Sequence, residues 1–201
     1  MRSLWLSIPI LAVAGCTDRP TLLEAPPPKY DPDAITRAIL AEFDKNHNGS
    51  IEPGEAQACP ALYDAFADFD ANCDKRVTAD EIRKRVEGYA AAGTGSVPVG
   101  VTVRLDLQPL AGATVTLVPE KCMGDAFKSA AGTTDAEGYC GGWRIDGKTY
   151  RGVPAGLYRI QVTKDGTALP ARFNTQTILG REVIYDTRKP DMTIVLDLSS
   201  G

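Results

Sequence analysis

The chain is poor in the residues that most often do chemistry. It holds one histidine, His47, and five cysteines, none in the close pairs that zinc sites use. No Gly-x-Ser-x-Gly elbow, phosphate loop or Cys/His pair occurs, so nucleophilic and phosphoryl-transfer enzymes lack their usual parts and a non-enzyme is expected. Basic residues do not outnumber acidic ones: 22 Lys and Arg face 26 Asp and Glu, for a net charge of −4. With no basic stripe and no groove of aromatics and arginines, nucleic acid is excluded as a partner. Long apolar runs are also lacking. The one such stretch, Leu4 to Val13, is too short to span a bilayer.

That stretch follows Arg2 and is followed by the small residues Ala14 and Gly15, the composition of an export signal. Its end, Val13-Ala14-Gly15-Cys16, resembles the lipobox of bacterial lipoproteins, with Val13 where leucine is commoner. The resemblance implies lipidation of Cys16, a membrane anchor, and a place in the bacterial cell envelope facing periplasm or exterior. Residues 17–30, with Pro20 and Pro26-Pro27-Pro28, favour extended solvated backbone and read as a tether.

Oxygen-bearing side chains are plentiful, and they recur at alternate positions. In Asp44 to Glu55, Asp44, Asn46 and Asn48 alternate, Gly49 supplies a sharp turn, Ser50 offers a carbonyl, Glu52 is placed to act through water, and Glu55 closes the stretch. A hard divalent cation asks for such an oxygen set. Asp70 to Glu81 repeats it, with Asp70, Asn72, Asp74, the carbonyl of Arg76, and Glu81. Lys75 stands where the first loop has Gly49, so the second loop is expected to be the weaker. Both stretches resemble EF-hand calcium loops. The resemblance implies Ca²⁺ as the ligand, a short β contact between Ile51 and Val77, and affinities of about 10⁻⁴ to 10⁻³ M, as in extracellular hands.

The flanking pattern is helical. Asp31-Pro32-Asp33 reads as a helix start, and Ile35, Ile39, Leu40 and Phe43 form an apolar face. Leu62, Phe66 and Phe69 form a second face in a short joining segment, and Ile82, Val86 and Tyr89 a third. Thr78 and Glu81 make a capping box. The hand pair is expected over 31–91 and a linker over 92–96.

Beyond the linker the period becomes two. Val101, Val103, Leu105 and Leu107 alternate with polar residues, as do Ala113, Val115 and Leu117, then Tyr158, Ile160 and Val162, a segment from Val183 to Tyr185, and finally Met192 to Leu198. Strands separated by Gly, Pro and Asp turns predict an antiparallel β-sandwich over 97–201. The turns Pro109-Leu110-Ala111-Gly112, Thr134-Asp135-Ala136-Glu137-Gly138 and Pro154-Ala155-Gly156 resemble those of carboxypeptidase regulatory-like, transthyretin-like domains. That resemblance implies a fold and an interaction module, with a protein or cell-surface polymer as partner, and carries no catalytic residues.

The whole is therefore expected to be multidomain: residues 1–16 a signal, 17–30 a tether, a small all-α pair of hands, and an all-β sandwich. An adhesion module with purely structural hands, or an accessory subunit of an envelope hydrolase, are the alternatives. Cys59, Cys73, Cys122 and Cys140 allow three pairings, of which pairing within each domain is the simplest; free thiols at Cys59 and Cys73 are the alternative, since Cys73 lies inside a loop.

Overall fold

A computed structural model describes residues 23, 26–93, 95–185 and 192–201. The signal and Cys16 lie outside them, as does most of the tether. No helix among the described residues is long and apolar enough to cross a membrane.

Residues up to 93 are mostly helical. Asp31 accepts a hydrogen bond from the Ala34 N–H at 2.9 Å and caps α1 (Pro32–Phe43), with Pro32 in the first turn where its missing N–H is harmless. A two-residue strand β1 (Ser50–Ile51) leads into α2 (Pro53–Ala56), α3 (Pro60–Asp64) and α4 (Phe66–Phe69), three single-turn helices separated where Pro60 and Ala65 break the ladder. A second short strand, β2 (Val77–Thr78), pairs antiparallel with β1, Ile51 opposite Val77. Both side chains are fully buried. The longest helix, α5 (Ala79–Ala91), then packs along α1.

From Val97 onward the chain is a set of strands: β3 (Val97–Leu105), β4 (Gln108–Pro109), β5 (Thr114–Pro119), β6 (Ala130–Thr133), β7 (Tyr139–Cys140), β8 (Trp143–Ile145), β9 (Lys148–Tyr150), β10 (Gly152–Val153), β11 (Gly156–Thr163), β12 (Gly180–Val183) and β13 (Met192–Leu198). One sheet has the order β12-β11-β5-β6-β8-β9; in the other, β3 pairs with β10 and β13, and with β4 and β7. Ile194, Leu196 and Leu198 of β13 and Val99, Val101 and Val103 of β3 join Val115, Leu117, Ile160 and Val162 of the first sheet in one core. The Trp143 indole N–H on β8 donates to the Val99 carbonyl on β3 at 2.8 Å and ties the sheets together. Two sheets sharing a buried core are compatible with a β-sandwich.

Two expectations require correction. The sheets are not wholly antiparallel: β13 runs parallel to β3 along its length, Met192 opposite Val99 through Leu198 opposite Leu105. Alternation reports only which face is buried, so it cannot reveal strand direction. Leu107 is not an inward strand residue. It follows Asp106 in a tight turn, both at positive φ, and is 75% exposed.

The helices do not stand apart from the sheets. Their apolar faces belong to the same cluster as the strands. Gly180 on β12 lies so close to α3 that a Cβ there would sit 2.2 Å from the Ala61 nitrogen, so the absence of a side chain permits the contact. Arg181 pairs with Asp64. The Tyr30 hydroxyl donates to the Ala155 carbonyl at 2.9 Å, and its ring packs between Tyr89 and Phe127. That burial raises the Tyr30 pKa to about 12. Leu23 bridges to Tyr150, so the described ends of the stretch read as a tether lie against the sheet.

Candidate functional site

Two loops join helical segments on either side of the β1–β2 pair, and each folds around its own first aspartate. In loop one the Asp44 carboxylate is nearly buried and accepts the N–H groups of Asn48 and Gly49 at 3.1 and 2.9 Å. Asn46 Oδ1 accepts from the Asn48 N–H at 3.0 Å, and Asn48 Oδ1 from the Ser50 N–H at 2.9 Å and its hydroxyl at 2.8 Å. Glu55 reaches back across the loop: Oε1 takes the N–H groups of Lys45 and Asn46, and Oε2 that of Glu52.

Loop two repeats this scheme. Asp70 accepts from Asp74 and Lys75 at 3.1 and 2.8 Å, Asn72 from Asp74 at 3.0 Å, and Asp74 from Arg76 at 2.9 Å. Glu81 closes it through the N–H groups of Ala71 and Thr78 and the Thr78 hydroxyl. The backbone repeats as well. His47 and Cys73 have φ of 58° and 59°, and Gly49 and Lys75 have 83° and 67°. Gly49 takes the left-handed region at little cost, whereas Lys75 is held there against its Cβ, a strain of about 1–2 kcal/mol.

These bonds set the electrostatics. The Glu55 carboxyl is held below the usual glutamate range, chiefly by the Glu52 N–H, with partial burial opposing and the Asn46 and Lys45 N–H groups assisting. For Glu81 burial works upward, but the Thr78 N–H and hydroxyl, with Asn72 and Ala71, outweigh it and the pKa is again lowered. Both closing carboxylates are therefore ionised at neutral pH.

Glu52 has a role that spacing alone did not disclose. Its two oxygens accept the side-chain NH₂ groups of Asn46 and Asn48 at 2.8 and 2.7 Å, which orients both amides with their oxygens toward the loop backbone. It also caps α2 in a reciprocal box with Glu55. Loop two has Thr78 at the matching place, and there the Asn72 amide turns to Asp74 instead.

All the donors gathered here are oxygens, the set that suits a hard cation and not zinc or copper. The side chains of Asp44, Asn46, Asn48 and Glu55, with the Ser50 carbonyl, could hold one ion; Asp70, Asn72, Asp74 and Glu81, with the Arg76 carbonyl, could hold a second. Among the described residues no three His, Cys, Asp or Glu side chains are already gathered as a metal-holding group. Loop one draws two of its side-chain oxygens from asparagine, and in both loops the carboxylates bond the loop's own N–H groups.

No known protein family and no curated protein matches the chain.

The cysteines depart from the simplest pairing. Cys59, Cys73, Cys122 and Cys140 are all free thiols; Cys73 is exposed, its thiol donating to the Asp70 carbonyl at 3.9 Å, and Cys140 donates to the Gly142 carbonyl at 3.7 Å. His47 is exposed on loop one.

Proposed function

We propose that the chain is a calcium-binding lipoprotein of the bacterial cell envelope, in which a pair of EF-hands is joined to a transthyretin-like β-sandwich that serves as an interaction domain. The observation that carries this reading is the hydrogen-bond frame that the two loops share, from Asp44 and Asp70 at their starts to Glu55 and Glu81 at their ends. A generic polar turn has no reason to recur with the same donors, the same acceptors and the same two positive-φ positions.

Within that reading Asp44, Asn46, Asn48, Ser50 and Glu55 hold one Ca²⁺, with Glu52 orienting the amides. Asp70, Asn72, Asp74, Arg76 and Glu81 hold a second, weaker one. The ion supplies positive charge that neutralises the ring of oxygens. The chain's own residues do the remainder: the β1–β2 pair fixes the spacing of the loops, and the closing glutamates cap α2 and α5, whose packing fixes the helix positions. A filled loop is then a structural clip for the helical region, in keeping with a site that stays occupied in calcium-rich surroundings. The membrane anchor is assigned to Cys16 from the lipobox resemblance. The β region is assigned to a protein or cell-surface polymer, and no catalysis is assigned to the chain.

Thermal unfolding of the full chain in calcium against a chelator tests the reading. Calcium at ten times the dissociation constant stabilises by about 1.4 kcal/mol, a shift of about 3–6 °C. An unchanged melting temperature at millimolar calcium would contradict it.

A further inference from the structure

Two of the cysteines meet where the helical and β regions join. Cys59 precedes α3 and is fully buried, and Cys122 sits in the 3-10 turn Lys121–Met123 with 4% of its surface exposed. One guanidinium gathers the two segments. Arg159 on β11 donates from Nη2 to the carbonyl of Ala58 at 3.5 Å and from Nε to both oxygens of Glu120 at 3.0 and 2.9 Å. The Glu120 N–H is in turn fixed on the Leu157 carbonyl at 2.9 Å. The neighbours of both cysteines are thus held to a single strand. The Cys59 thiol bonds the Glu120 carboxylate and lies within electrostatic reach of Cys122.

We propose that Cys59 and Cys122 form a disulfide that fastens the helical region to the β region when the chain folds in an oxidising compartment. The oxidant is an external disulfide, glutathione disulfide or the disulfide centre of an oxidoreductase. The Cys59 thiolate attacks one of its sulfurs and expels a thiolate; the Cys122 thiolate then attacks the Cys59 sulfur of the mixed disulfide and expels the second. One S–S bond is exchanged for another, two electrons pass to the oxidant, and the two thiol protons leave with its reduced thiols. Burial raises the pKa of both thiols, with the Glu120 charge adding to it, and Cys122 reaches about 12. Thiolate is therefore scarce once the segments have closed, so the bond forms in the folding chain and the finished protein exchanges it slowly.

The cross-link differs from the within-region pairing that sequence favours, and it does not depend on calcium. Its test is refolding of the full-length chain from denaturant in a glutathione redox buffer, followed by an acid quench, N-ethylmaleimide blocking in denaturant and digestion without reduction. The expected product is a peptide pair joined through Cys59 and Cys122. The oxidised protein should melt about 5–15 °C above the dithiothreitol-reduced one. That difference should vanish in Cys122→Ser and persist in Cys140→Ser. Recovery of both cysteines as maleimide adducts, or of either joined to a different cysteine, would overturn the proposal. The mapping uses the wild-type chain, so a variant that fails to fold leaves the decision intact.

Discussion

Arg85 on α5 grips both oxygens of Glu182 on β12, Nε to Oε1 at 2.7 Å and Nη2 to Oε2 at 2.6 Å, and the buried Tyr89 hydroxyl, one turn further along the helix, donates to the same carboxylate. Glu182 is 5% exposed. A carboxylate this deep is tolerated because three donors, two from Arg85 and one from Tyr89, replace the water it gives up. The pair also joins the helix that leaves loop two to the edge strand of the larger sheet.

Removing one partner strands the other. Glu182→Ala leaves a half-buried guanidinium and a buried hydroxyl unsatisfied, and should cost about 3–5 kcal/mol in urea unfolding. Glu182→Gln keeps an acceptor for Tyr89 and should cost less. Equal, small losses in both would mean that the network contributes only packing.

Backbone strain predicts opposite signs for two matched positions. Gly49 has φ of 83° with open space around it, so Gly49→Ala should destabilise by about 1 kcal/mol through conformation alone. Lys75→Gly relieves the same strain and should stabilise by about 0.5–1 kcal/mol. Thermal melts of the two variants check the pair, and a loss in Lys75→Gly would show that its side chain contributes more than its backbone costs.

Acid should open the loops. The folded pKa values of Glu55 and Glu81 lie below the ordinary glutamate value of 4.5. Their stabilisation is therefore complete above that value and is lost as the pH falls through the folded values. Side-chain carboxyl titration by NMR should place both midpoints below 4.5. Midpoints at or above it would mean that the N–H bonds closing the loops are absent in solution.

Much of the helical region was legible because its signals are local. Asp31 and Pro32 mark a start, alternating oxygens mark each loop, and Thr78 with Glu81 marks a box that the structure closes. The role of Glu52 was not legible, since nothing in its spacing distinguishes an amide acceptor from a residue acting through water. In the β region the longer strands announced themselves by alternation. The short strands β7 to β10 did not, because two or three residues carry no period. Least visible was the contact between regions: Glu182 and Glu120 look like surface residues in sequence, and only the arrival of Arg85 and Arg159 from distant segments permits their burial. Phe69 and Tyr89 likewise read as the core of a small helical unit, yet they belong to one core with the strands.

That shared core decides how calcium binding should be measured. A helical fragment would expose the surface that covers β12, so calorimetric titration belongs on the full chain, with Glu55→Gln and Glu81→Gln alongside. The account predicts binding at about 10⁻⁴ to 10⁻³ M, abolished at the stronger site by Glu55→Gln and reduced less by Glu81→Gln. Absence of binding heat at millimolar calcium, in a chain that is folded, would contradict it: the loops would then be held by their own hydrogen bonds alone.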